Sequence, residues 1–156
     1  MPKYRLLTNE ELIEMKKDFV NYLVVNGITA DDWKNLLETN KEKAQTIIDL
    51  FSDVVFEKIL RGVNYVLRTS KKEIIAFHCM EETIEMCGLV AGEGLDVDFT
   101  NHEVIAALIA NPVKGLETIH AEKPYSKTRE MEIFELTENG GLISDGNVYN
   151  ALKSIT

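Results

Sequence analysis

Cysteine, long apolar runs and positive charge are all scarce in this sequence, and each shortage excludes a class of protein. Two cysteines in 156 residues cannot build a disulfide framework. No apolar run approaches the length of a membrane-spanning helix. The first residues, MPKYRLLTNEEL, lack the apolar core of a signal peptide. We therefore expect a cytoplasmic protein in a reducing compartment.

The charge balance argues against two kinds of partner. Lysine and arginine number 17 against 26 aspartates and glutamates, which gives a formal net charge of −9. Sequence-independent binding to nucleic acid needs the opposite excess, and so does binding to an anionic membrane. An acidic surface favours solubility and is suited to a basic protein partner.

Motifs for nucleotide binding and serine hydrolysis are missing as well. Gly88, Gly92 and Gly94 do not form G-x-G-x-x-G, no G-K-[ST] follows them, and G-x-S-x-G does not occur. We expect no bound cofactor, and the sequence favours a role other than catalysis.

The stretch from residue 40 to 62 is the most informative one that is present. Its apolar residues recur at spacings of three and four, which predicts a long helix with one buried stripe. The stripe comprises Ala44, Ile47, Ile48, Phe51, Val55 and Ile59, widened by Leu50, Val54 and Leu60. The opposite surface carries Asp49, Ser52, Asp53, Glu57 and Lys58.

Other elements are arranged around this central helix in a single domain, residues 1–156. Further helices are predicted from Thr8 to Asn26, after Thr29, from a Thr100–Glu103 capping box to Pro112, over 128–138 and over 145–155. Strands are predicted over 64–69, 73–80 and 83–91 as an antiparallel meander, with a fourth short strand over 95–99. Residues 115–122 fit either a strand or a loop. This order indicates an α+β fold: N-terminal helices, a small antiparallel sheet of three to four strands, and C-terminal helices.

Soft metal ligands offer a second interpretation, a metal protein or an enzyme. The candidates are His78, Cys79, Cys87 and His120. His78 and Cys79 are neighbours on a strand and point to opposite faces. A three-residue hairpin loop would put Cys79 on the face of Cys87, whereas a two- or four-residue loop would put His78 there. Their apolar context makes buried, inert cysteines the favoured reading.

The C-terminal helix pair offers a third interpretation, DNA binding through a helix-turn-helix. Two helices joined by a glycine turn fit that motif. However, the second helix carries one base, Lys153, and Asp145 stands at the end that would approach phosphates. Docking on the core through Val148, Tyr149 and Leu152 is favoured instead.

The chain as a whole resembles an uncharacterised bacterial family, a domain of unknown function of about this length. The resemblance rests on LTNEELIEMKKDFVNYLVVNGI, LFSDVVFEKIL, AFHCMEETIEM, ANPVKGLE and YSKTREMEIFELTENGGLISDGNVYNAL, in this order. The family pattern has Trp where this chain has Phe56, so an aromatic residue is kept. The family carries no assigned activity, so the resemblance implies no site residues.

These observations together predict a small acidic protein that acts through protein–protein contacts. Three carboxylates on the central helix, Asp49, Asp53 and Glu57, are suited to a basic partner. Trp33 and Tyr149 are the aromatic residues expected to be left over from the core. An exposed apolar patch around either of them would mark an interface.

Overall fold

The computed structural model describes residues 1–156, and its fold is α+β. Seven helices accompany one antiparallel sheet of five strands, one more than the upper number predicted. The chain separates into two compact units, Met1–Ile59 and Leu60–Thr156, called here the helical unit and the sheet unit. The predicted single domain stays a prediction.

The helices and strands have the following bounds. The helices are α1 Asn9–Glu14, α2 Lys16–Val25, α3 Ala30–Thr39, α4 Lys41–Arg61, α5 His102–Ala110, α6 Arg129–Glu138 and α7 Asn147–Lys153. The strands are β1 Tyr65–Thr69, β2 Glu73–Cys79, β3 Thr83–Ala91, β4 Leu116–Pro124 and β5 Leu142–Ser144. None of the helices combines the length and apolarity that crossing a bilayer requires.

Side-chain caps fix where most of the helices begin. Thr8 with Glu11 and Thr29 with Asp32 form complete capping boxes, and the Asn40 side chain accepts from the Lys43 backbone N–H. The predicted first helix is interrupted at Met15, whose backbone leaves the helical region and divides it into α1 and α2.

The predicted capping box at Thr100 is wrong. Asn101 caps α5 by accepting from the Glu103 backbone N–H, 3.0 Å away. The Thr100 hydroxyl donates to the Asp98 carboxylate instead, so Thr100 completes the turn that precedes the helix.

The central helix α4 buries most of the predicted apolar stripe, but Leu50, Val54 and Ile59 of that stripe are exposed. Phe51 and Val55 are buried, as expected, and pack with Leu7 and with Phe19 and Tyr22 of α2. Ser52, placed on the solvent side by its polarity, is fully enclosed. Its hydroxyl donates to the Ile48 carbonyl and accepts from the Leu7 backbone N–H. The first residues of the chain therefore cover this side of α4.

The sheet has the strand order β4-β3-β2-β1-β5, and every pair is antiparallel. The meander of β1, β2 and β3 is confirmed, and the stretch left open between strand and loop is strand β4. The short strand predicted over 95–99 is wrong, because these residues form no ladder and Phe99 is drawn into the core.

Helices cover the two faces of the sheet. One face carries Ile74, Ala76, Cys87 and Leu89, and α5 and α7 pack against it through residues that include Ile105 and Leu152. We call it the α7 face. The other face carries Phe77, Ile84 and Met86, which share a groove with α6, and we call it the α6 face.

The predicted helix-turn-helix at the C-terminus is wrong. Strand β5 lies between α6 and α7 and pairs with β1, so no tight turn joins the two helices. Tyr149 and Leu152 of α7 are buried in the sheet core, which is the docking that the sequence favoured.

Candidate functional site

The helical unit contains an open apolar groove between α2 and α4, of about 530 Å³. Helical spacing places its wall residues on facing sides of the two helices. Asp18 stands on the α2 wall and Lys58 on the α4 wall, while the floor is apolar. We call this the α2–α4 groove; it is lined by Met15, Asp18, Asn21, Tyr22, Val25, Phe51, Val54, Val55, Lys58 and Ile59.

Exposed apolar side chains are concentrated in the same unit. Val25 is 84% exposed and Val54 is 51% exposed, and both line the groove. The large apolar side chains exposed in this unit are Met1, Leu6, Ile13, Val20, Val24, Val25, Leu37, Leu50, Val54 and Ile59. In the sheet unit they are only Val113, Leu142 and Ile143.

The three carboxylates predicted to meet a partner are engaged by the start of the chain. Asp53 accepts from the backbone N–H of Lys3 at 2.7 Å, and Glu57 accepts from the Tyr4 hydroxyl at 2.5 Å. Asp49 pairs with the N-terminal ammonium at 3.7 Å. This acidic face therefore anchors the N-terminal segment, and partner binding on it stays a prediction.

Trp33 and Tyr149 occupy different environments. Trp33 is half-buried and packs edge-on against Phe19, with ring centroids 5.2 Å apart. Tyr149 is only 3% exposed and belongs to the core of the sheet unit. Tyr149 therefore lies in the core and not at a surface, whereas an interface at Trp33 stays a prediction.

A buried carboxylate between a histidine and a lysine is the main polar feature of the sheet unit. Glu85 Oε1 lies 2.8 Å from His120 Nε2 and 3.0 Å from Lys153 Nζ. These hydrogen bonds, that from His120 first, lower the pKa of Glu85 to about 2 despite its burial. The cluster joins β3, β4 and α7, so it locks α7 onto the sheet.

The Tyr149 hydroxyl beside this cluster is enclosed, and no acceptor meets it in hydrogen-bonding geometry. Its burial, and then the nearby Glu85 carboxylate, raise the pKa of Tyr149. The Tyr149 ring also contacts Tyr65 and His78, which stack on each other at 4.6 Å. These three rings pack together at one end of the sheet core.

The soft ligands do not converge on one point. Cys87 and His120 face each other across β3 and β4, and His78 shares their face, whereas Cys79 lies on the opposite face. Burial raises the pKa of each of the two free thiols to about 11. No group of three or more histidine, cysteine or acidic side chains is placed to hold a metal ion.

Arg129 is a structural residue that the sequence reading missed. Its guanidinium donates to the carbonyls of Leu60, Val63, Cys79 and Met80, with distances between 2.5 and 3.1 Å. A base in the first turn of a helix opposes the helix dipole. The unfavourable position of Arg129 at the start of α6 was the sequence feature that could have indicated a role outside this helix.

A second groove, of about 470 Å³, lies on the α6 face of the sheet unit. Phe77, Ile84 and Met86 form its wall on the sheet. The rim carries Lys123 and Glu132, whose charged atoms pair at 2.8 Å. Glu135 in the same lining pairs with Lys127, and Glu122 accepts from the Thr83 hydroxyl, so most of the charged groups here already have partners within the chain.

Comparison with known protein families identifies a match over the full sequence. The model of a family of unknown function (DUF6495) matches residues 1–156, the whole of the sequence. No curated protein and no solved structure matches the chain.

Proposed function

The chain belongs to this family of unknown function (DUF6495), and we propose that it acts by binding an amphipathic helix of another protein in the α2–α4 groove. The observation that carries the proposal is the open groove itself, whose apolar lining includes Val25 and Val54 at 84% and 51% exposure. Apolar surface of this kind, rimmed by polar residues, is typical of an interaction site.

The shape of the groove favours a helix as the occupant. Two helices that leave an apolar trough between them are complemented by a third helix, which fills the trough with residues at i, i+3, i+4 and i+7. The α2 wall is about 15 Å long, so a partner of about three turns would cover it.

The two rim charges set an orientation for that helix. Asp18 on α2 favours basic side chains along one flank of the partner, and Lys58 on α4 favours acidic side chains along the other. The partner that we propose is therefore a helix with one basic flank.

We also propose that the protein is cytoplasmic. Its two cysteines are free and lie on opposite faces of the sheet, so they cannot form a disulfide with each other, which fits a reducing compartment.

The proposal is tested with a designed helical peptide of about five turns that carries an apolar stripe, a lysine flank and a glutamate flank. Fluorescence anisotropy of the labelled peptide should show saturable binding to the protein. Val54→Asp should abolish it, because a carboxylate in the floor would be buried without a partner. Val113→Asp, at an exposed apolar site of the sheet unit, is the matched control and should leave binding unchanged.

A second peptide, with the same composition but its stripe scrambled, separates groove binding from general stickiness. Equal binding of both peptides, or binding that survives Val54→Asp, would contradict the proposal.

A further inference from the structure

Strand β4 is an open edge of the sheet over its full length. It pairs with β3 in one unbroken register from Thr83–Pro124 to Ala91–Leu116, and no strand pairs with its other side. Folded monomers usually shorten, bulge, cover or charge such an edge, and β4 does carry charged residues at Glu117, Glu122 and Lys123. Here the nine residues Leu116–Pro124 form a regular, largely exposed strand without a bulge, and the proline stands at its last position.

Alternation along the ladder identifies the backbone groups that face outward. The Gly92 N–H donates to the Gly115 carbonyl at 2.8 Å, so the pair of residues 92 and 115 is hydrogen-bonded. Such pairs alternate with non-bonded ones in an antiparallel ladder. The N–H and C=O groups of Leu116, Thr118, His120 and Glu122 therefore point away from β3. Pro124 belongs to the same outward-facing set, so the N–H that it lacks would not have bonded to β3.

We propose that two copies of the chain pair through β4, antiparallel about a two-fold axis at His120, and so extend the sheet across both subunits. The proposal goes beyond helix binding in the α2–α4 groove and does not depend on it. In this register Glu117 of each copy stands opposite Lys123 of the second copy. Thr118 stands opposite Glu122, whose carboxylate can accept from the threonine hydroxyl.

Charge complementarity selects this register. Moving the axis to Ile119 or Ala121 keeps the outward groups paired but separates Glu117 from Lys123. Glu117 is exposed and forms no ion pair within its own chain, whereas Lys123 already contacts Glu132. Opposite charges directly across a strand pair stabilise it, and like charges destabilise it. Because the interface is two-fold symmetric, the Glu117–Lys123 pair occurs twice.

Sedimentation equilibrium up to millimolar concentration tests the proposal, with circular dichroism as the check on folding. The wild type should be a dimer in reversible equilibrium with monomer. Thr118→Pro should give a folded monomer, because it removes an outward N–H that β3 does not use. Thr118→Ala keeps that N–H and, as the matched control, should stay dimeric.

A charge exchange tests the register. Glu117→Lys alone should raise the dimer dissociation constant at least about tenfold, because it places like charges opposite each other twice. Adding Lys123→Glu should return the constant close to the wild-type value.

The proposal would be overturned by a wild type that stays monomeric, by a dimer that survives Thr118→Pro, or by a charge exchange that does not restore pairing. Dissociation by Val54→Asp alone would assign self-association to the α2–α4 groove instead and would equally overturn it. None of these results changes the peptide binding expected of the groove in single subunits.

Discussion

The two units of this chain treat apolar side chains in opposite ways. In the sheet unit, helices lie on both faces of the sheet, and Ile74, Leu89, Phe99 and Leu152 are all essentially inaccessible to solvent. The helical unit buries Phe51 and Val55 but exposes many more large apolar residues than it encloses. The sheet unit has enclosed most of its apolar surface, so its proposed pairing through β4 depends on backbone hydrogen bonds, whereas the helical unit still has apolar area to remove from water.

Hydrogen bonding shows the same difference. In the sheet unit, Arg129 donates long-range hydrogen bonds to four carbonyls, and the buried Glu85 carboxylate accepts from the half-exposed His120 and Lys153 side chains. In the helical unit the long-range bonds tie down the first residues of the chain, at Ser52, Asp53 and Glu57. The sheet unit is thus braced internally, and the helical unit is braced on one side of α4 and open on the other.

The largest expected effect comes from the arginine that braces the sheet unit. Arg129→Met should lower the free energy of unfolding by roughly 3 kcal/mol or more, because several carbonyls lose a charged donor at once. Arg129→Lys should recover only part of the loss, since an ammonium cannot reproduce the planar fork of donors. Urea denaturation at neutral pH measures both.

Lys127→Met is the matched control for Arg129. Lys127 lies two residues away and pairs with Glu135 on the surface, where an ion pair contributes at most about 1 kcal/mol. Equal losses at Lys127 and Arg129 would refute the internal bracing of the sheet unit.

The spacing of apolar residues predicted most of the helices and strands, but it did not predict which segments pack against them. It indicated that α4 has one buried side and that Phe51 and Val55 lie on it, and both are buried. It misplaced Ser52 and Val54, because the pattern does not show that the N-terminal segment covers one flank of α4 and leaves the other open. Sheet strands with an apolar face were predicted, whereas β4, LETIHAEKP, has polar residues on both faces, as an edge allows.

The polar cluster was less accessible from sequence, for a related reason. Glu85 stands out as an acid between Ile84 and Met86 in an apolar strand, which indicates that it has a buried partner. Its partners, His120 and Lys153, lie far along the chain, and only the strand register and the docking of α7 bring them together. Trp33 and Tyr149 were predicted to be left over from the core, but the docking of α7 on the sheet buries Tyr149.

An intermediate effect is expected at the polar cluster. Glu85→Gln should lower the free energy of unfolding by about 1 to 2 kcal/mol at pH 7, because neutral hydrogen bonds are weaker than charge-assisted ones. The folded pKa of Glu85 is lowered from 4.5 to about 2. Its contribution is therefore complete above pH 4.5 and is lost as the pH falls towards 2.

The pH dependence gives the sharper measurement for Glu85. The difference in unfolding free energy between wild type and Glu85→Gln should shrink steadily as the pH is lowered through that interval. Glu93→Gln, at an exposed position of the same unit, should show no such difference at any pH. A gap that stays constant on acidification would mean that the charge of Glu85 contributes nothing to the fold.

The smallest expected effect is the one that decides the comparison between the units, and it uses two adjacent residues of α4. Val54→Ser should change the free energy of unfolding by less than about 0.5 kcal/mol, because Val54 is half exposed and already hydrated. Val55→Ser should cost roughly 2 kcal/mol, since it removes methyl groups from the packed side of the helix and buries a hydroxyl there. Urea denaturation of both variants measures the contrast, and the identical substitution cancels the difference in helix propensity. Should Val54→Ser prove as destabilising as Val55→Ser, the floor of the α2–α4 groove would be core and no surface for a partner would remain there.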